Sequence, residues 1–220
     1  MTNETVAALQ GRAQTYGLLA RLLACEVDAA LLEALPNGLL PAQTGVAGLD
    51  EGAALVNGYL AAHAGDAAAR TELAVDYARL FVVRGKETAG AAYPFESVYA
   101  STDGLTVSDA RSQMRALYRA AGLVTHGGWN LGEDHIALEL QFMQLLGERA
   151  ADALEGGDEG LAARLLGQQL AFLDEHLLRW APGFCAAMER NARSAFYRGL
   201  ARFLPAYLAE DRAALEDCLA

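Results

Sequence analysis

Apolar residues return every three or four positions along most of the chain. Val6, Leu9, Ala13, Tyr16, Ala20 and Leu23 form one stripe, and Leu73, Tyr77, Leu80 and Phe81 form another. At about 100° per residue this spacing gathers side chains on one face of a helix, where a neighbouring element can bury them. The same period predicts further helices over about 50–62, 108–121, 131–154, 158–179, 182–193 and 195–209. Pro182 follows Trp180 and Ala181, and in the first turn of a new helix its missing N–H costs nothing. No alternating pattern of comparable length predicts a strand. The expected fold class is all-α: one multi-helix bundle over residues 1–220, with possible helical halves at about 1–107 and 108–220.

One stretch breaks the period. From about 84 to 107 the chain reads RGKETAGAAYPFESVYASTDGLTV, punctuated by Gly85, Gly90, Pro94 and Gly104. Irregular loops this long are uncommon inside compact domains and are usually functional. Tyr93, Phe95 and Tyr99 lie in it beside Glu96 and Ser97. Such rings are expected to pack onto the helices rather than remain in water. A second loop, at 123–130, sets Trp129 beside two glycines.

Composition agrees with helices, because Ala and Leu dominate and β-branched residues are few. The formal charge of -11, with Arg12 and Arg21 the only cations in the first fifty residues, argues against a nucleic-acid partner. No run of eighteen apolar residues predicts a membrane span. The N-terminus lacks a basic leader before an apolar core and does not read as a secretory signal. Cys25, Cys185 and Cys218 stand singly without a CxxC. They are expected to be reduced thiols of a cytoplasmic protein, buried as small core residues.

The stretch NLGEDHIALELQFMQLL, 130–146, carries the densest polar chemistry. Asn130 suits an N-cap, and Glu133 follows three residues later as in a capping box. Asp134 then falls in the first turn, where a negative charge complements the helix dipole. Around the helix, Glu133 and Asp134 share a polar side with Gln141, Gln144 and Glu148. His135 and Glu139 fall opposite, among Leu138, Phe142, Met143 and Leu146. Polar groups on a buried face need partners, and these two are four apart and can pair with each other. His176, between Leu173, Leu177 and Trp180, is a second inward histidine. Both Glu139 and His176 are expected as structural polar residues of the core.

Metal chemistry is weakly supported. His135 and Glu139 offer two ligands on one face, but the chain has no ExxH pair of the di-iron kind, and His126 has no second ligand at helical spacing, while His63 stands apart from any further histidine. Ser97 could in principle join His135, yet no nucleophile-elbow glycine pattern and no phosphate-cradling glycine motif occurs. No catalytic residue and no metal ligand is therefore expected. Two alternatives stay open: a metal- or nucleotide-dependent helical enzyme resting on His135, Glu139 and His176, and a plain helical interaction scaffold.

Three ordered stretches resemble the TorD/DmsD family of redox-enzyme maturation chaperones. They are YARLF followed by YPFESVY, then EDHIALELQFM, then FLDEHLLRWAPGF with AFYRGLARFL, together spanning about 76–208. The family's proline before the acid–histidine pair is Gly132 here, its early glycine after Leu-Phe is delayed to Gly85, and its frequent Trp is Tyr77. The resemblance implies an all-helical, non-enzymatic cytoplasmic chaperone. Its partners would be the twin-arginine signal peptide and the apo form of a molybdoenzyme catalytic subunit, whose export it delays until cofactor is loaded. A NarJ-like chaperone of a nitrate-reductase-type subunit is the alternative within the same class. The molybdopterin cofactor belongs to the client; the chaperone holds none tightly, with weak guanine-nucleotide binding discussed for the family. Monomer and domain-swapped homodimer are both compatible with the resemblance.

Carried over by position, the family pattern selects Tyr77, Leu80, Phe81, Pro94, Phe95, Ser97, Tyr99, Asp134 and His135 as the signal-peptide site. A peptide with two guanidinium groups and an apolar stretch needs carboxylates and a greasy groove. Asp134, supported by Glu133 or Glu96, suits the first need, and Tyr93 and Trp129 join the aromatic set for the second.

Overall fold

The computed structural model describes residues 3–33, 38–82, 91–99, 107–123 and 131–220. Its helices are α1 (Asn3–Ala24), α2 (Ala29–Glu33), α3 (Ala47–Ala62), α4 (Ala67–Tyr77), α5 (Glu96–Tyr99), α6 (Val107–Ala120), α7 (Ile136–Glu155), α8 (Glu159–Phe172), α9 (Leu178–Asn191) and α10 (Ala195–Leu219). π-helical turns follow α4 at Ala78–Val82 and α8 at Leu173–Leu177. Among the described residues there is no strand, only an isolated antiparallel bridge between Phe95 and His135. The all-α expectation holds. No helix among these residues is long and apolar enough to cross a membrane.

Several boundaries differ from the periodic reading, each for a physical reason. Pro182 does not open a helix: α8 runs through its π turn into α9, and Pro182 lies inside α9. It removes one backbone bond, but Trp180, Ala181, Phe184 and Cys185 on either side are all buried, so packing carries the helix across it. α10 runs through Pro205 as the period predicts but continues past 209 to Leu219, because Leu208, Asp211 and Leu215 extend its buried face at steps of three and four. α2 was not foreseen, being five residues and too short to show a period. Of the irregular stretch at 84–107, residues 84–90 and 100–106 lie outside the described residues, while 96–99 form the single turn α5. Trp129, Asn130 and His126 also lie outside them. Of the cysteines expected in the core only Cys185 is buried; Cys25 is half-buried and Cys218, on the solvent side of α10, is exposed.

The chain forms two compact units interleaved along the sequence. One comprises Met1–Ala24, Phe95–Trp180 and Glu210–Ala220, the other Cys25–Pro94 and Ala181–Ala209. A division near 107 would cut through the first unit. In that first unit α1 lies along α7, where a Cβ on Gly147 would stand only 3.3 Å from that of Ala13. Leu140, Met143 and Leu146 of α7 are fully buried, and Phe142 meets the edge of Phe172 at 4.9 Å. Of the stripe on α1, Leu9, Ala13, Tyr16, Ala20 and Leu23 are buried, and Val6 near its start is half-buried.

In the second unit α3 crosses α10 at a pair of glycines. A Cβ on Gly52 would lie 2.7 Å from the Phe203 nitrogen, and one on Gly199 would lie 2.7 Å from the Gly52 carbonyl oxygen. Backbone meets backbone there, so only glycine fits. Tyr77, Phe81, Phe184 and Tyr197 form its aromatic centre, with Tyr77 and Phe81 5.1 Å apart and edge-on. Asp76, also buried, accepts from the Ser194 nitrogen at 2.8 Å, the Arg193 nitrogen at 3.0 Å and the Ser194 hydroxyl at 2.9 Å, closing the approach to α10.

Candidate functional site

The sequence-selected residues divide between the two units. Tyr77, Leu80, Phe81, Tyr93 and Pro94 belong to the second; Phe95, Glu96, Ser97, Tyr99, Glu133, Asp134, His135, Glu139 and His176 belong to the first. In the second unit Leu80 is fully buried, Tyr77 and Phe81 nearly so, and the Leu80 carbonyl accepts from Ala92 N–H at 2.9 Å. There these side chains build core and hold the segment that precedes Phe95.

In the first unit the entry to α7 is not the helix turn that the spacing predicts. The helix starts at Ile136, and His135 is its N-cap, with Nδ1 accepting from Ala137 N–H at 3.1 Å. Glu133 and Asp134 therefore sit in the turn before the helix, outside a capping box. His135 N–H closes that turn onto the Gly132 carbonyl at 3.0 Å, and a ring nitrogen replaces the carboxylate or hydroxyl usual at such a cap. Phe95 bridges His135 on the backbone and meets its ring edge-on at 5.1 Å, while Glu96 N–H donates to the Asp134 carbonyl at 2.9 Å.

Asp134 is fully buried. Its carboxylate accepts from the Ser97 hydroxyl at 2.5 Å and from Arg111 Nε at 2.9 Å. Arg111 also lies 6.0 Å from the centre of the Phe95 ring. Beside it, Arg115 donates to Glu133 Oε1 from Nε at 2.9 Å and Nη2 at 2.5 Å, and the Tyr118 hydroxyl donates to the Glu133 carbonyl at 3.0 Å. Burial pushes the Glu133 carboxyl up, but its own backbone N–H, Arg115 and Arg111 together hold it below its ordinary value. Two adjacent carboxylates thus meet two guanidinium groups from one face of α6.

Behind this pair lies a buried polar layer. His176 Nδ1 is 2.9 Å from Glu96 Oε1. Glu139 does not pair with His135 as its spacing allows; Oε2 accepts instead from Trp180 Nε1 at 3.0 Å, and Tyr99 stacks on Trp180 at 5.8 Å. Glu96 Oε2 and Glu139 Oε1 have no hydrogen-bond partner among the described residues. Residues 95–99 are consequently fastened at four points: His135, Asp134, His176 and Trp180. Among the described residues no three His, Cys, Asp or Glu side chains gather as a metal set. The arrangement can bind guanidinium and order a loop. Sequence reasoning missed Arg111, Arg115 and Trp180 as members; their α6 and α9 positions carry no local signal linking them to 133–139.

Burial, followed by the neighbouring Glu96 charge, pushes the Glu139 carboxyl well above its ordinary range, and the Trp180 N–H draws it only partly back. A carboxyl raised in the folded state favours folding most at low pH and opposes it increasingly as pH climbs past the unfolded value. Glu139→Gln keeps the acceptor for Trp180 and cannot ionise. It is expected to raise Tm over the wild type by about 2–4 °C at about pH 8 and by less near pH 5. Thermal melts at the two pH values check this; a difference that fails to grow with pH contradicts it.

The family model described as nitrate reductase delta subunit matches residues 45–186. The chain is 32% identical over 151 residues to the chaperone protein TorD of Vibrio cholerae serotype O1, strain M66-2, covering 69% of this chain and 66% of the relative. It is 32% identical over 147 residues to that of Photobacterium profundum, covering 67% and 65%. Each match thus spans just under two thirds of the relative's length. With the TorD of Aliivibrio fischeri it shares 28% identity over 215 residues, 95% of this chain and 96% of the relative. The chain therefore belongs to the TorD/DmsD family of chaperones, a non-enzymatic family.

Proposed function

We propose that this protein is a cytoplasmic chaperone for assembly of a molybdenum-cofactor oxidoreductase, binding the twin-arginine signal peptide of its client and delaying export until cofactor is inserted. The observation that carries the reading is the adjacent pair Glu133 and Asp134, each in contact with a guanidinium, the one on Asp134 lying 6.0 Å from the centre of the Phe95 ring. Carboxylate oxygens flanked by an aromatic face match the forked donors of arginine far better than the point charge of lysine. A recess of about 160 Å³ in the same unit, lined by Leu117, Phe142, Phe172 and His176, suits one side chain of the leader's apolar stretch. The net charge of -11 favours encounter with a basic leader. In this reading the molybdopterin cofactor stays with the client, no group is held tightly by the chaperone, and guanine nucleotide binds weakly. A monomer or a domain-swapped homodimer carries one such site per chain.

Calorimetric titration with a twin-arginine leader peptide at low salt tests the reading. Binding is expected, with the affinity falling at least about tenfold when both arginines are replaced by glutamine, and by about 1–3 kcal/mol in Asp134→Asn. Equal binding to both leaders, or none to either, overturns it. The matching family description favours a second reading, a chaperone of a nitrate-reductase-type catalytic subunit. Co-purification and mass spectrometry of the bound client separate the two.

A further inference from the structure

A fully buried carboxylate is an awkward receptor for an incoming cation, because emptying its site exposes an unpaired charge to a low-dielectric interior. Asp134 avoids that state: Arg111 already occupies it. Arg111 and Arg115 are four residues apart on α6 and hence neighbours on its surface. Each remains substantially exposed, at 43% and 52% of its side chain. Room for the first is made by Gly132, where a Cβ would stand 3.0 Å from Arg111 Nη2. We propose that Arg111 and Arg115 are internal placeholders for the two guanidinium groups of a twin-arginine leader, which binds by exchanging with them at Asp134 and Glu133.

The inference rests on the leader-binding reading and adds a determinant of specificity to it. Exchange of one guanidinium for another keeps Asp134 and Glu133 paired throughout, so the buried charge is never left alone. Exchange for an ammonium loses the planar set of guanidinium donors and, at Asp134, the cation–π neighbour of Phe95, so a di-lysine leader must compete against better-matched groups already in place. The placeholders would therefore set a threshold that arginine passes and lysine does not. Gly132, where the family pattern has proline, is what admits the first of them.

The test uses the full chain with its arginine Nε–H groups followed by ¹⁵N NMR. Adding a twin-arginine leader peptide is expected to move the Arg111 and Arg115 signals toward those of solvent-exposed arginines, and the di-glutamine peptide is expected to leave them unchanged. Arg115→Gln removes an exposed pair that the fold tolerates. It should bind the twin-arginine leader about three- to fivefold more tightly, the scale of one exposed ion pair, and discriminate less against the di-lysine peptide. Leader binding with both arginine signals unmoved and no gain in Arg115→Gln overturns the placeholder role while leaving the leader-binding reading intact. Absence of leader binding by the wild type overturns both.

Discussion

Acidifying the protein from about pH 7 to about pH 4 is expected to remove about 3 kcal/mol of stability through His135 alone. The ring is buried at the N-cap of α7, and burial lowers its pKa from 6.5 to about 4, against a smaller opposing pull from Asp134. Its Nδ1 must also stay unprotonated to accept from Ala137 N–H. The folded chain therefore holds a neutral imidazole where the unfolded chain binds a proton. The stability is fully present above about pH 6.5, is lost as pH falls toward about 4, and changes no further below that. His135→Asn supplies a good capping acceptor that does not titrate. Urea unfolding at a series of pH values should show the wild type losing stability through that window and the variant losing about 3 kcal/mol less. Parallel pH profiles for the two proteins would remove His135 from the account. Glu139 acts in the opposite sense, opposing folding as pH rises, so the two buried groups at either end of one α7 turn confine maximal stability between them.

The sequence revealed the helices and misplaced this chemistry for a single reason: periodicity reports which face is buried, not what meets it. The stripe on α1 and the apolar face of α7 were readable because burial repeats at the helical period. Pro182 misled because a proline interrupts a pattern in the sequence, whereas burial on both sides of it carries the helix through. At 133–135 the residues were singled out correctly as the polar focus of the chain, yet their roles exchanged. The histidine caps the helix, and the acids sit before it bound to arginines from α6. Glu139 and His176 were legible as buried polar groups, but their partners Trp180 and Glu96 lie 41 and 80 residues away. The Gly52–Gly199 crossing gave no signal at all, since a glycine inside a helical pattern looks like a weak position until a second backbone is seen against it.

The longest of these connections should also carry the largest stability effect. Arg12 and Asp211 are 199 residues apart, and Arg12 Nη2 donates to Asp211 Oδ2 at 2.8 Å with Nε on Oδ1 at 2.5 Å. The fork is bidentate, which fixes both groups in angle as well as distance. The Tyr16 hydroxyl donates to the same carboxylate at 2.7 Å, and the Gln169 side chain accepts from Arg12 at 3.1 Å. Asp211 is almost wholly buried, so α1, α8 and α10 share a charged network inside the first unit. Removing one side of such a pair leaves the other as a buried charge, which is worse than having neither. Asp211→Ala is expected to destabilise the protein by about 3–5 kcal/mol. Asp211→Asn, which keeps the shape and one acceptor, should lose less. Combining Asp211→Leu with Arg12→Met should recover much of the deficit, because the desolvated charge is then gone from both sides. Denaturant midpoints for the three proteins decide the matter. A loss below about 1 kcal/mol in Asp211→Ala, the range of an exposed pair, would mean that water reaches the network and that α10 is held to α1 by its apolar face alone.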